Sequence, residues 1–357
     1  MRALRIFEFF AWWSWERWLL LVACLALTAA LTSPSAPTRQ NVFDLLVVLD
    51  VTQSMNTLDY ELDGEPASRL AFVRHALHQA LPQLPCGSKL GMAIFTEYRT
   101  FLLFAPVEVC ASYSELAATI DAIDGRMAWA GGSEIAKGLY SGLLSAKALE
   151  GTPGLIFITD GHEAPPLNPR HRPEFTGKAG DVKGVIIGAG GLKPRPIPKF
   201  DPDGNPLGFW KPDEVLQTDT FSLGRGGSAS HEQMVETEPA APVPPQLKPP
   251  SGSEHLSALH EDYLKLLAGE TRLGYQRLTT PQSLLAALTD QKLARQANVR
   301  TDLRWVPAGM ALLALVIVYL PKRAATRRRS GRQGPEVAAG SAQRRGKSSA
   351  PSDRLAA

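Results

Sequence analysis

One stretch constrains the fold more than any other. Phe43–Asp50 reads FDLLVVLD, an apolar run that ends in a carboxylate. A strand with one wet face would alternate apolar and polar residues. A continuous run of this length reads instead as a strand buried on both faces, and that happens where helices cover both sides of a parallel sheet. Gly154–Thr159 (GLIFIT) and Val182–Gly188 (VKGVIIG) repeat the signature. Helical patterns lie between. Ser68–Leu84 carries an apolar stripe at Leu70, Val73, Leu77, Ala80, Leu81 and Leu84, and Glu134–Leu149 is a second helix. His75 and His78 on the first helix read as solvated residues, with a metal pair as the alternative. The expectation is an α/β fold: a doubly wound, mainly parallel, Rossmann-like sheet.

Other elements follow from local signals. Leu90–Phe95 and Thr100–Ala105 flank Thr96-Glu97-Tyr98-Arg99 as a hairpin, and Ser112 with Glu115 predicts a capping box. Residues 189–253 hold 12 of the 28 prolines, which reads as an insertion without its own core. Within it, Ile197–Trp210 reads as a hairpin with its turn at Asp203-Gly204. Asp201, Asp203 and Asn205 only superficially resemble a calcium loop, because position 212 is Pro where the closing Glu belongs. Glu254–Leu267 reads as a helix and Tyr275–Leu278 as a strand. Thr280 and Pro281 open a helix over about 281–297.

Two uncharged runs bracket this region. Residues 18–38 begin WLLLVACLALTAAL, behind Trp12, Trp13, Trp15 and Trp18. Residues 305–321 read WVPAGMALLALVIVYLP between Arg304 and Lys322. Both suit transmembrane helices, the second at roughly 26 Å with snorkelling flanks. Arg2, Arg5 and Arg17 precede the first run. The tail from Lys322 holds ten basic residues against Glu336 and Asp353. The positive-inside rule then puts residues 1–17 and a disordered tail, 322–357, in the cytoplasm of an inner (cytoplasmic) membrane. It puts 39–304 in the periplasm. A cleaved signal peptide, or a lipoprotein box at Leu21-Val22-Ala23-Cys24, are the alternatives for the first run. The main domain is net acidic, which argues against nucleic acid as its partner.

Cys86 and Cys110 lie equally far from Tyr98, which is near the centre of the 96–99 turn. Residues paired across a hairpin are equidistant from its turn, so a disulfide is expected at the open end.

Three hydroxyl- and carboxylate-bearing motifs end up at one sheet edge. Asp50-Val51-Thr52-Gln53-Ser54 closes the first strand. Ala130-Gly131-Gly132-Ser133-Glu134 precedes a helix. Thr159-Asp160-Gly161 closes another strand. The carboxyl edge of an open sheet is where such folds place ligands, and oxygen-only donors suit Mg²⁺ first, then Mn²⁺ or Ca²⁺. Gly131-Gly132 lacks the Lys of a phosphate loop, and no nucleophile and base order stands nearby.

On these motifs the chain resembles a von Willebrand factor type A domain with a metal-ion-dependent adhesion site, over about 43–300. The resemblance implies that Thr52, Ser54 and Ser133 ligate the metal directly, while Asp50 and Asp160 act through bound waters. It implies a protein-binding role, not an enzyme's, with a partner's carboxylate taken into the open metal position. His162 and Glu163 are expected on the rim that meets the partner. Narrower likenesses lie in DVTQSMNTLDY, Ser68-Arg69-Leu70, FTEYRTFLLFAPV and Trp129–Glu134. These resemble the MxaL-type membrane proteins of bacterial methanol-oxidation gene clusters. That implies an assembly factor for a calcium-dependent periplasmic quinoprotein methanol dehydrogenase. The layout of span, domain and span also resembles the Bat aerotolerance proteins, implying an envelope-stress role beside a MoxR-type ATPase. A chelatase-like subunit that moves calcium is a third class, and it lacks an energy source in this chain.

Overall fold

The computed structural model describes residues 15–168, 172–201, 203–218 and 252–319. Contacts divide the chain into two units, residues 37–299 and residues 1–36 with 300–357.

In chain order, the helices are α1 (Trp15–Leu31), α2 (Arg69–Ala80), α3 (Tyr113–Ala122), α4 (Ile135–Ala148), α5 (Glu261–Thr271), α6 (Pro281–Leu288) and α7 (Trp305–Tyr319). The strands of the main sheet are β1 (Ser35–Asp50), β4 (Lys89–Thr96), β5 (Arg99–Glu108), β6 (Gly154–Thr159), β7 (Gly184–Ala189), β12 (Gly274–Leu278) and β13 (Ala294–Asp302). Small two-stranded pairs join β2 (Leu58–Leu62) to β3 (Glu65–Ser68), β8 (Arg195–Pro196) to β11 (Leu256–Ser257), and β9 (Pro198–Phe200) to β10 (Pro206–Phe209).

The larger unit is built on the order β12-β7-β6-β1-β4-β5, with β13 paired to β1. Neighbours are parallel from β12 through β4, and β5 returns antiparallel along β4. The expected mixed α/β fold with a mainly parallel sheet is therefore present. Alternation along β1 divides the core. Leu45, Val47 and Leu49 face one apolar cluster with α2, α3 and α6. Leu46 and Val48 face another with α4 and α5. Each fully buried Val, Leu or Ile contributes about 1.5–3 kcal/mol of transfer free energy, so both faces of β1 must be covered. The chain leaves β1 toward β4 on one side and reaches β6 on the other. The carboxyl end of β1 is thus a point where the strand order reverses.

Several expectations need correction. Helix α6 stops at Leu288, and 294–302 form β13 in place of further helix. Residues 256–257 are strand, so α5 begins only at Glu261. Ser112 makes no side-chain cap on α3; Glu115 instead accepts from the Ser114 hydroxyl. The expected cap at Thr280 is formed, and Ser283 completes a capping box there. Asp201 accepts from the backbone and side-chain nitrogens of Asn205, a hairpin contact and no calcium loop.

In the smaller unit, α1 and α7 run antiparallel, with Pro34 O accepting from Leu303 N at 2.8 Å. Ala23 and Ala26 pack on Ala311 and Ala314. The uncharged run 18–38 is helical only to Leu31. Ser33 takes a positive φ of 53°, and Pro34 disfavours helix in the residue before it. Among the described residues no helix is long and apolar enough to cross a membrane. The expected cytoplasmic N-terminus (but for Trp15–Arg17), the expected basic tail, and 219–251 of the Pro-rich insertion lie outside the described residues.

Candidate metal centre

The first motif is shaped by where β1 ends. Val51 N still donates to Phe95 O of β4 at 3.1 Å; the chain then folds into a short turn, with Met55 N donating to Thr52 O. This places Thr52 back over Asp50. Asp50 Oδ1 accepts from Thr52 N at 2.9 Å and from Thr52 Oγ1 at 2.6 Å. Its other oxygen accepts from Thr159 Oγ1 at 2.6 Å, which ties β1 to the end of β6. Ser54 Oγ lies 3.3 Å from Thr52 Oγ1 and bonds to Asp160. All four residues of the first and third motifs, Asp50, Thr52, Ser54 and Asp160, are buried and brought together.

Asp160 is held on every side. Its Oδ1 accepts from His162 N at 2.9 Å. Its Oδ2 accepts from Arg69 Nη1 at 2.5 Å and Ser257 Oγ at 3.2 Å. Arg69, the first residue of α2, is fully buried. It also donates through Nε and Nη2 to Asp59 and through Nη2 to Ser257 O. Burial pulls the Asp160 carboxyl upward, but the Arg69 guanidinium, the charge of His162 and the hydrogen bonds from His162 N and Ser54 together hold the group below its ordinary range. Asp50 has no such cation. Burial, then the charge of Asp160, pushes its carboxyl up to about 7.

The second motif reaches the same edge through the backbone. Ser133 exchanges bonds with Ala164, N to O at 2.6 Å and O from N at 2.8 Å. The next residue, Glu134, donates to Glu97 O at the β4–β5 turn. Ser133 is buried, and its Oγ has no hydrogen-bond partner. Buried hydroxyls are usually paired; Thr57 and Thr96 also carry unpartnered ones, but the Ser133 Oγ sits on the edge where the Asp50 and Asp160 motifs end and is free to accept a further partner there.

These residues fit a hard cation. The hydroxyl hydrogen of Thr52 points at Asp50 and the Ser54 bond runs to Asp160, so oxygen lone pairs remain for an ion. Thr52, Ser54 and Ser133 would hold it, with Asp50 and Asp160 behind them. A bound dication would supply Lewis acidity and an open coordination position for an anionic oxygen.

The expected rim is not a rim. His162 and Glu163 are both buried. Glu163 Oε1 accepts from Ala136 N at 3.1 Å and Tyr263 OH at 2.5 Å, so it caps the start of α4 and joins it to α5. Burial pushes its carboxyl up to about 7, against those hydrogen bonds. The His162 ring stands edge-on to His260, with centroids 5.6 Å apart, and burial pushes it down to about 4. The site also takes in Thr159, Arg69, Asp59 and Ser257, to which the sequence motifs assign no role. Thr159 was within the third motif as a hydroxyl preceding Asp160; the others carry no signal in the hydrophobic pattern.

No protein-family model matches the chain, and no curated protein sequence matches it. Solved structures do. An aerotolerance-related membrane protein from Bacteroides fragilis aligns at 15% identity over 70% of this chain and 98% of that one, with a TM-score of 0.42. A von Willebrand factor type A protein from Catenulispora acidiphila aligns at 11% over 78% and 47%, with a TM-score of 0.32. Manganese-loaded TRAP protein from Plasmodium vivax aligns at 11% over 75% and 82%, also at 0.32.

Proposed function

We propose that this chain is a metal-dependent protein-binding factor, built like a von Willebrand factor type A domain, that grips a partner's carboxylate through a bound Mg²⁺. Mn²⁺ or Ca²⁺ are the alternative ions. The observation that carries this reading is the buried, unpartnered Ser133 hydroxyl, on the same sheet edge as Thr52, Ser54 and two buried carboxylates. The chain's own residues do three things here. Asp50 and Asp160 orient hydroxyls. Arg69 offsets the charge of Asp160. The Ala164 and Glu97 backbone clamps the Ser133 loop. A site whose donors are largely neutral leaves a dication short of negative charge, so an added carboxylate is favoured. The role is binding, not catalysis.

We place the chain at the inner membrane, with the larger unit in the periplasm. Helices α1 and α7 support this. They bury alanines against each other and leave Leu25, Leu312 and Leu313 more than 60% exposed, the pattern of helices that meet lipid. The finer reading, an assembly factor for a periplasmic quinoprotein methanol dehydrogenase, rests on the sequence stretches that resemble the methanol-oxidation proteins. The Bat-like envelope-stress reading rests on the layout alone.

The test is affinity capture by the full chain in detergent, with Mg²⁺ or with EDTA. The expected result is a partner retained only with the metal and lost to Asp50→Ala and Ser54→Ala variants that remain folded. Equal capture by Asp50→Ala and wild type would remove the reading.

A further inference from the structure

The surface beside the candidate metal centre is apolar in a way the fold does not require. Strand β5 closes the sheet on one side and pairs only with β4 among the described strands. It leaves Phe101, Leu102 and Leu103 exposed in succession. Trp129, 57% exposed, stands edge-on to Phe101 with ring centroids 4.5 Å apart, and its Nε1 donates to Glu97 at 3.4 Å. At the hairpin tip the Arg99 guanidinium lies 5.0 Å from the centre of the exposed Tyr98 ring. Long apolar sheet edges invite pairing with other chains, and proteins normally cover or charge them. Exposed Trp, Tyr and Arg are the side chains most often found as anchors of binding energy.

This platform is continuous with the metal centre. Trp129 and Ser133 belong to one loop and are four residues apart, at most about 14 Å along the chain. The hairpin tip is bonded to the same loop where Glu97 O accepts from Glu134 N. An extended peptide advances about 3.3 Å per residue. A residue within four positions of a metal-bound acid therefore reaches the Phe101–Trp129 pair. The charge at the platform is balanced, Arg99 at the tip against Glu97 beside Trp129, so the acidic residue is favoured at the metal and the platform takes an apolar one.

We infer that the partner is an extended protein segment carrying an acidic residue for the metal and a bulky apolar residue, within about four positions, for the Phe101–Trp129 pair. This rests on the metal-binding reading above and adds a second contact that sets which acidic segments bind.

The test is selection of a random dodecapeptide display library on the full chain in detergent with Mg²⁺. Enriched peptides should combine Asp or Glu with Phe, Tyr, Trp or Leu within four positions, and EDTA should release them. Selection on Trp129→Ala should keep the acid and lose the apolar residue. A resynthesised peptide should bind Trp129→Ala at least tenfold more weakly, recover on Trp129→Phe, and leave Mg²⁺ affinity unchanged within twofold. Enrichment of acid alone, equal on wild type and Trp129→Ala, overturns this inference and leaves the metal reading standing. Binders that survive EDTA or carry no acid, or no binders at all, overturn both. A Mg²⁺-dependent dimer that Trp129→Ala dissolves would give the platform to a second copy of the chain and overturn the peptide partner.

Discussion

Arg69 Nη1 donates to Asp160 Oδ2 at 2.5 Å, with neither side chain reached by solvent. The same guanidinium donates to Asp59 and Ser257, so it ties three separate segments to the candidate metal centre. Removing one partner of such a pair leaves uncompensated buried charge, which costs about 3–5 kcal/mol. Arg69→Met should destabilise the chain by that amount in denaturant unfolding followed by Trp fluorescence. Arg69→Lys should fall between, because one ammonium cannot reproduce a fork that meets two carboxylates. A loss below about 1 kcal/mol for Arg69→Met would show that the network relaxes around the gap.

Glu163 predicts a pH dependence with a definite sign. Its folded value is raised from 4.5 to about 7, with burial as the main cause. The folded state therefore binds this proton more tightly than the unfolded one. The group's contribution is fully present below about 4.5 and is lost as pH rises through about 7. His162, pushed down from 6.5 to about 4, works oppositely over nearly the same range, so the wild-type profile is flattened. The difference between variants isolates the carboxyl. Glu163→Gln keeps an acceptor for Ala136 N and Tyr263 OH but cannot ionise. Its stability relative to wild type should rise between pH 5 and pH 8 by up to about 3 kcal/mol. A pH-independent difference would mean that Glu163 is ionised in the folded chain throughout.

What the sequence made legible follows burial. GLIFIT spans β6 from end to end, and the apolar run of β1 ends with the strand at Asp50, because strands covered on both faces are written as unbroken apolar runs. Strand β13 is not legible in the sequence, because ARQANVRTD is mostly exposed and carries no such run. The first helix ends at Leu31, seven residues short of its expected end at residue 38. Absence of charge set its end there, while Ser33-Pro34 stops it by backbone geometry. At the site, the hydroxyls and carboxylates were legible as motifs. Arg69 was not, since a charged residue is by default assigned to the surface and only its tertiary partners reverse that.

Two glycines should respond to the same substitution with opposite signs. In a helix Gly→Ala is ordinarily worth up to about 1 kcal/mol of stabilisation. Gly269 of α5 has nothing within 4 Å of an added Cβ, so Gly269→Ala should stabilise by roughly that amount. Gly138 of α4 lies against the sheet, and a Cβ there would stand 2.0 Å from the Phe95 ring. Gly138→Ala should therefore destabilise, by about 1–3 kcal/mol or more, as the helix is forced off Phe95. Denaturant midpoints of the two variants against wild type give both signs. A stabilised Gly138→Ala would mean that α4 has room to move outward.

The Cys86–Cys110 disulfide is formed, with Cα atoms 5.3 Å apart, but the hairpin reaches it by an unexpected register. Near the turn Thr96 faces Arg99 and Ile94 faces Phe101. At the open end Lys89 faces Glu108, because β4 and β5 slip against each other at two irregular points between Leu90 and Ala93. Each slip adds a residue to β5, so the pairing moves from one residue short of the cysteine alignment to one residue past it, and the 5.3 Å separation shows that the loops absorb the remainder. Glu108 supports that end by accepting from Gly87 N at 2.6 Å and Ala111 N at 2.5 Å, one beside each cysteine. A crosslink spanning 24 residues restricts the unfolded chain by about 3 kcal/mol in the loop-entropy account. The Cys86→Ser, Cys110→Ser double variant should lose stability of that order while the Glu108 contacts keep the hairpin closed. Reductant should lower wild-type stability to the level of the double variant and leave the double variant unmoved. Cys24, the free cysteine, takes no part in either measurement. A double variant as stable as oxidised wild type would show that the hairpin end is ordered by its hydrogen bonds alone.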